Sequence, residues 1–506
     1  MDSIELAEGF AALLALFFIY HIWPKKRGET RRQPPEPGGA WPVVGHLCLL
    51  SRRSTTPLHR TLAALSEKHG PLFTLQLGQM RVLVVNNMDL AKECFTTNDR
   101  AFAGRPPLQS WKRLGYDLAM FGLAPYGPYW REVRKITTIE LLSSGRLELL
   151  KHIRVEEVGA WVRGLYHNCG DNQPVDWKHR LSSLSLNIIL RMVAGKRYFI
   201  LDGEENIGEV GELRKVINEF FHLLGVLTVT DAIPWLEWLD VGEWLDQIAS
   251  AWLAEHRQEK ESGGMKAEKD FIDVLIEELK DGHLSEKYQT DTIIVATALG
   301  IVSAGTDTVS VTLEWIISAL LSNRRTLEKA KEELDCNVGR ERQVEESDIK
   351  NLPYLQAIVK ESMRLYPALP LLPPHQSTEP VQLGGYHIPV GTTLFVNAWK
   401  IFRDPVLWTD AEEFWPERFL TSCKDIDFGG QSFAFMPFGS GRRMCAGWTM
   451  ALQVIHLALA RLLQSFEWST PMDEPVDMTE GLSIIMSKAA PLKVRLRPRL
   501  PPHLYY

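Results

Sequence analysis

Phe438-Gly439-Ser440-Gly441-Arg442-Arg443-Met444-Cys445-Ala446-Gly447 stands directly before apolar residues at helical spacing, Leu452, Ile455, Leu459, Leu462 and Leu463. A thiolate is a soft, strongly donating ligand that needs help to stay ionised at neutral pH. The start of a helix supplies that help through its free N–H groups and positive dipole end. Gly439, Gly441 and Gly447 let the backbone fold over the sulfur and donate hydrogen bonds with no side chain in the way. Arg443 can meet an anion beside a metal, and Phe438 can keep water off one face. A lone cysteine heading a helix is usually a small buried hydrophobe. Here the whole spacing Phe-x-x-Gly-x-Arg-x-Cys-x-Gly is present.

The rest of the chain sets the frame. Its 506 residues are 45% hydrophobic and 24% charged, ordinary for a chain that buries a sizeable core. There is no internal repeat and no low-complexity stretch after residue 42, so residues 43–506 read as one large domain. A net charge of −7 gives no support for a nucleic-acid partner. Six cysteines are scattered without a C-x-x-C pair, which suits a reducing compartment. Gly9 to Trp23 is an almost unbroken apolar run of about 22 Å as a helix, just able to cross a bilayer with some tilt. Lys25, Lys26, Arg27, Arg31 and Arg32 follow it, placing the body of the chain on the cytosolic side. A cleaved signal peptide would need a basic leading region and a small-x-small site, and neither is present. Residues 1–23 are therefore expected to be an uncleaved anchor. Residues 24–42, ending in Pro34-Pro35-Glu36-Pro37-Gly38-Gly39-Ala40-Trp41-Pro42, read as a stiff hinge.

Most of the domain reads as helix, with apolar residues at helical spacing near 58–69, 88–97, 127–143, 145–169, 179–194, 209–225, 242–261, 269–280, 285–323, 325–337 and 355–365. A hairpin is expected over 71–86 around Gly78-Gln79, and short strands over 379–396. Pro106 to Tyr126 has few regular signals and reads as a loop over a pocket. The expected class is mainly α with a minor β part. Within the longest helix, Ala304-Gly305-Thr306-Asp307-Thr308 gathers weak helix formers, a mark of either close packing or a functional bend. Glu361 and Arg364 share one helical face before Tyr366-Pro367, and Pro416-Glu417-Arg418-Phe419 offers a second arginine to close a buried network. Trp130 and Arg134 are i, i+4 on another helix, and His375 follows Pro373-Pro374.

Taken together, these motifs resemble the cytochrome P450 monooxygenases, from the anchor to the last strand. The Asn397 to Pro405 and Asp231 to Leu236 stretches look like plant microsomal members of the A-type clan, nearest to plant family 82. The resemblance implies the P450 fold, with haem b (iron protoporphyrin IX) between the long central helix and the cysteine-loop helix. Cys445 would be the axial iron ligand. Trp130, Arg134, His375 and Arg443 would meet the haem propionates, beside Phe438. Gly305 would make room for dioxygen, and Asp307 with Thr308 would deliver protons through ordered water. Glu361, Arg364 and Arg418 would be structural, holding the cysteine loop against the core. The hinge, continued by Gly45-His46-Leu47, would seat the body on the endoplasmic reticulum membrane as a single-pass protein with a cytosolic domain.

The chain shows no nucleotide-binding glycine fingerprint, so electrons from NADPH are expected through a separate NADPH-cytochrome P450 reductase. Arg131, Lys135 and Arg442 are candidates to dock it. The stretches that line the family's pocket are largely apolar here: the loop after 106, 210–225, the centre of the long helix, Ala368 to Leu372 and Leu482 to Ile485. The expected substrate is thus a lipophilic ring compound, a phenolic, terpenoid or alkaloid. Two other readings compete: an isomerase or dehydratase working without O2 or reductase, and a non-catalytic membrane scaffold. The first can dispense with Asp307 and Thr308, and the second needs none of the cysteine loop.

Overall fold

A computed structural model describes residues 32–47, 55–171, 175–198, 243–262, 269–280 and 284–506. The expected anchor, the first part of the hinge, the 209–225 helix and the Asp231 to Leu236 stretch lie outside these residues.

The central element is the helix Thr290–Ser322, 33 residues long, or about 50 Å. Every residue from Val309 to Leu321 is buried, and a helix apolar on all sides belongs in a core. It is long and apolar enough to cross a bilayer, yet most of it is covered by protein. Its main partner is the helix Trp177–Ala194, and Pro353–Leu365 and Trp448–Ser465 also pack on it. These surround one large apolar cluster that includes Trp161, Trp177 and Ile316. The architecture is mainly helical, as expected.

The hairpin forms as Leu72–Leu77 and Met80–Val85. Met80–Val85 then pairs in parallel with Thr393–Val396, which pairs antiparallel with His375–Gln376. That four-stranded sheet carries His375 to the cavity described below. The docked part of the hinge lies along the same sheet. The Thr74 amide donates to Pro35 O at 2.8 Å. The fully buried His46 accepts from the Gln76 amide at 3.0 Å through Nδ1, so Nε2 holds the proton and donates to Pro37 O at 2.8 Å. Gly45 has φ +60°, and a Cβ there would meet Gln76 O at 2.1 Å, so only glycine fits.

Two expectations change. The single helix expected over 145–169 is two, Ser144–Leu149 and Lys151–His167, meeting at Leu150 (φ −84°, ψ 9°). Leu147, Leu150 and Ile153 all face the core across this break, which is why the apolar spacing ran through it. The expected loop from Pro106 to Tyr126 contains a short helix, Gln109–Leu114, followed by three residues with positive φ, Tyr116, Asp117 and Leu118. Backbone bonds from Asp117 to Lys112 O (2.7 Å) and from Met120 to Gly115 O (3.0 Å) fix that turn. It carries no glycine or proline punctuation at the left-handed positions, and so gives no turn signal in the sequence.

Candidate active site

Cys445 sits three residues before the helix Trp448–Ser465, in a loop closed by its own amide donating to Phe438 O at 2.9 Å. Gly439 and Gly441 have φ of +73° and +68°. A Cβ on Gly441 would meet Asp99 Oδ1 at 2.3 Å. Asp99 accepts from the Arg442 amide at 3.0 Å and pairs with the Arg442 guanidinium at 2.9 Å. Sequence reasoning missed Asp99, a lone acid in a loop far from the motif. The sulfur lies deep in the protein but its residue is open to the cavity. Burial raises the thiol pKa above its ordinary value, while the Gly447 N–H and Arg134 pull it down. The loop therefore helps the thiolate as expected, but less than burial opposes it; a bound cation would reverse that balance.

Three buried or half-buried arginines converge on the same cavity without a carboxylate partner. Arg443 Nε donates to Ala103 O (2.7 Å) and Nη2 to Ala124 O (2.6 Å), while its buried Nη1 has no partner. Arg134 Nη2 donates to Met444 O at 2.6 Å. Both guanidiniums lie against the Trp130 ring, at 4.5 Å and 5.3 Å respectively. The third is Arg105, bonded to Gly122 O, Pro373 O and Pro374 O. Burial, then repulsion from Arg105 and Arg134, pushes Arg443 down to about 8, and burial with Arg134 pushes Arg105 down to about 10. His375 is buried, and its Nδ1–H donates to Phe102 O at 2.8 Å. Burial and Arg105 hold its pKa well below the ordinary value. No Asp or Glu lines the cavity among the described residues. Such a cluster is costly unless an anion completes it. The orphaned Nη1 of Arg443 and the open sulfur of Cys445, one cavity apart, fit a group that carries both a metal and carboxylates. Haem does. Arg105 escaped the sequence reading because a single arginine before a proline carries no spacing signal.

Across the cavity, the central helix contributes Gly300, Ile301, Ser303, Ala304, Gly305, Thr308, Val309 and Thr312. Thr308 Oγ1 donates to Ala304 O at 2.7 Å, and Thr312 Oγ1 to Thr308 O at 2.7 Å. Gly305 lines the cavity and also packs against the neighbouring helix, where a Cβ would meet Ile189 Cδ1 at 2.8 Å. Ala304 is the exposed residue of this turn. Asp307 does not line the cavity with Thr308; it is influenced by Lys178 on the helix Trp177–Ala194. Burial raises its pKa to about 6 against the pull of Lys178.

The remaining wall is apolar. It includes Trp111, Met120, Phe121 and Leu123 of the irregular loop, Ala368, Leu369 and Leu372, and Ile484 with Ile485. Leu482 is instead 61% exposed. The loop carrying the two isoleucines is tied down by Glu480, which accepts from Arg60 at 2.7 and 2.9 Å and bonds His59 Nε2 at 2.8 Å.

Glu361, Arg364 and Arg418 form a fully buried network. Glu361 accepts from Arg364 at 2.8 and 2.9 Å and from Arg418 at 3.1 Å. The remaining guanidinium N–H groups donate to Phe402, Thr409, Asp410, Ala411 and Glu413 carbonyls. The network pins the 402–418 segment. From there rings pack in series, Trp408 with Phe419 (5.9 Å), Phe419 with Phe435 (5.5 Å), Phe435 with Phe428 (5.6 Å) and Phe428 with Phe438 (5.8 Å). The three charged residues thus reach the cysteine loop through an aromatic relay and do not touch it.

Comparison with known proteins agrees with this geometry. The family model for cytochrome P450 matches residues 34–496. A flavonoid-6-hydroxylase of Ocimum basilicum is 44% identical over 100% of this chain and 99% of its own length. Xanthotoxin 5-hydroxylase of Arabidopsis thaliana is 46% identical with both chains fully covered, and cytochrome P450 82A4 of Glycine max is 45% identical over 98% of this chain and 97% of its own. A zebrafish cytochrome P450 solved with progesterone superposes with a TM-score of 0.76 at 28% identity, over 88% of this chain and 100% of that one. The chain belongs to the cytochrome P450 family, as a haem b monooxygenase whose relatives include plant family 82.

Proposed function

We propose that this enzyme hydroxylates a lipophilic, ring-containing specialised metabolite at the endoplasmic reticulum membrane. The observation that carries the reading is the apolar cavity between Cys445 and the Ala304–Thr308 turn, with all its charge on the cysteine-loop side. The relatives named above as hydroxylases act, by those names, on a flavonoid and on xanthotoxin. That favours oxygen insertion over the isomerase reading. One oxygen atom of O2 would enter the substrate and the other would leave as water, with two electrons from NADPH through the reductase.

Haem, when bound, supplies the oxygen-activating chemistry. In this reading Cys445 Sγ holds the iron. Arg105, Arg134 and Arg443 would hold the propionates, with the Trp130 ring against the guanidiniums of Arg134 and Arg443 and His375 on the same wall. Phe438 covers one face of the sulfur. Thr308 positions water at the cavity wall. Asp307, whose pKa burial raises to about 6 against the pull of Lys178, would supply protons towards that water from the neighbouring position of the helix. Residues 1–23 anchor the chain and 24–42 set its seat on the membrane. For the reductase, Arg131, Lys135 and Arg442 are all exposed, with Lys135 paired to Glu132 and Arg442 to Asp99.

The test is incubation of microsomes carrying the chain with reductase, NADPH and a plant metabolite extract, read by mass spectrometry. Gain of one oxygen, dependent on NADPH, is expected. Turnover that persists without NADPH would overturn the reading in favour of an isomerase.

A further inference from the structure

The cavity wall presents four hydroxyl-bearing side chains among the described residues: Ser303, Thr308, Thr312 and Ser440. Three have already committed their proton to a backbone carbonyl: Thr308 to Ala304, Thr312 to Thr308 and Ser440 to Gly430 (2.6 Å). Ser303 has no such bond, although it is only 3% exposed. A serine in a helix ordinarily donates to the carbonyl one turn back. The Ser303 hydroxyl, on the cavity wall, is thus available to donate to an acceptor on a ligand.

Its place on the helix is informative. Ser303 is three residues after Gly300 and so shares that edge of the helix. The irregular loop packs closely at Gly300, since a Cβ there would meet Met120 Cγ at 2.8 Å. Ser303 therefore stands towards Met120, five residues or roughly 7–8 Å along the axis from Thr308. That separation is about the span of a fused bicyclic ring.

We propose that Ser303 is a substrate-recognition hydroxyl. It donates to an acceptor oxygen (a ring carbonyl, ether or phenol) on the part of the substrate lying towards Met120, and so fixes which carbon is presented beside Ala304 and Thr308. This rests on the lipophilic-ring reading and narrows it to compounds with an oxygen at the end remote from the reacting carbon. With the rest of the distal wall apolar or already bonded, one hydrogen bond decides orientation.

The experiment compares Ser303→Ala with the parent enzyme, full length and haem-loaded, by substrate-induced spectral shift. The probes are flavone against flavan, which lacks the ring carbonyl, and methoxynaphthalene against naphthalene. Alanine is the best helix former, so the variant retains the helix, and an unchanged reduced carbon monoxide band confirms an intact site. The expected result is affinity lowered about five- to tenfold for flavone and methoxynaphthalene, with flavan and naphthalene unchanged. Equal effects on both members of each pair, or no effect on either, overturn the proposal. If the parent enzyme shows the thiolate-type band but binds none of the four, the lipophilic-ring reading itself fails and takes this assignment with it.

Discussion

Arg443 shows how a single side chain can reveal an absent partner. Its Nη1 is buried without an acceptor, and burial with two neighbouring arginines lowers its pKa to about 8. A charge-assisted bond to a carboxylate is worth about 1.5–3 kcal/mol. Arg443→Leu should therefore speed haem loss at least about tenfold, measured by transfer to apomyoglobin; an unchanged rate would remove Arg443 from the haem site. Asp307 gives the pH dependence. Its folded pKa of about 6 exceeds the ordinary 3.8, so the fold favours the protonated acid. That contribution to stability is complete below the unfolded value and is lost as pH rises through 6. Asp307→Asn should flatten the pH dependence of the urea midpoint across this window and lower NADPH-dependent turnover. Identical pH profiles would show that the carboxyl is not perturbed. The sequence singled out Cys445, Arg443, Arg134 and Thr308, which the fold brings to one cavity, because each belongs to a short fixed spacing. It could not identify Arg105 or Asp99, which only the tertiary fold brings to the cysteine loop, nor could it tell that Gly305 faces Ile189.

Among the elements, the central helix carries two separate duties on neighbouring residues. Ala304, Gly305 and Thr308 meet the cavity, and Gly305 also packs against the helix Trp177–Ala194. Gly305→Ala would place a methyl 2.8 Å from Ile189 Cδ1, at an overpacking cost of about 1–3 kcal/mol. Ile189→Ala in the same chain should recover part of that loss in thermal unfolding. If Gly305→Ala alone leaves stability untouched and instead blocks ligand binding to iron, the glycine serves the ligand after all. The helix Pro353–Leu365 has the opposite character, because its key feature is charge. Glu361→Ala would leave Arg364 and Arg418 buried with no anion, costing about 3–5 kcal/mol. Urea unfolding should show this together with loss of haem, as the 402–418 segment and its ring relay loosen. A cost below about 1 kcal/mol would mean that the arginines are held by their carbonyl partners alone. Periodicity found both helices; the break at Leu150 stayed hidden because the apolar face continues across it.

At the scale of the whole molecule, a helical body brings two remote stretches, one ending at Thr308 and one holding Cys445, to opposite walls of an apolar cavity. A cationic cluster completes one side, Arg443 from the cysteine stretch and Arg105 and Arg134 from two further places. The general layout was readable in advance because hydrophobic spacing reports burial directly. The long irregular turn through Tyr116 to Leu118 was not, since its left-handed residues are held by backbone bonds and bear no glycine. The central claim is that the sulfur of Cys445 binds haem iron as a thiolate. It is tested most directly by the absorption spectrum of the reduced carbon monoxide complex, recorded for the parent protein and for Cys445→Ser. The account predicts the red-shifted thiolate band in the parent, and in the variant its disappearance with loss of oxidative turnover. A parent without that band, or a variant that keeps both band and turnover, would contradict it.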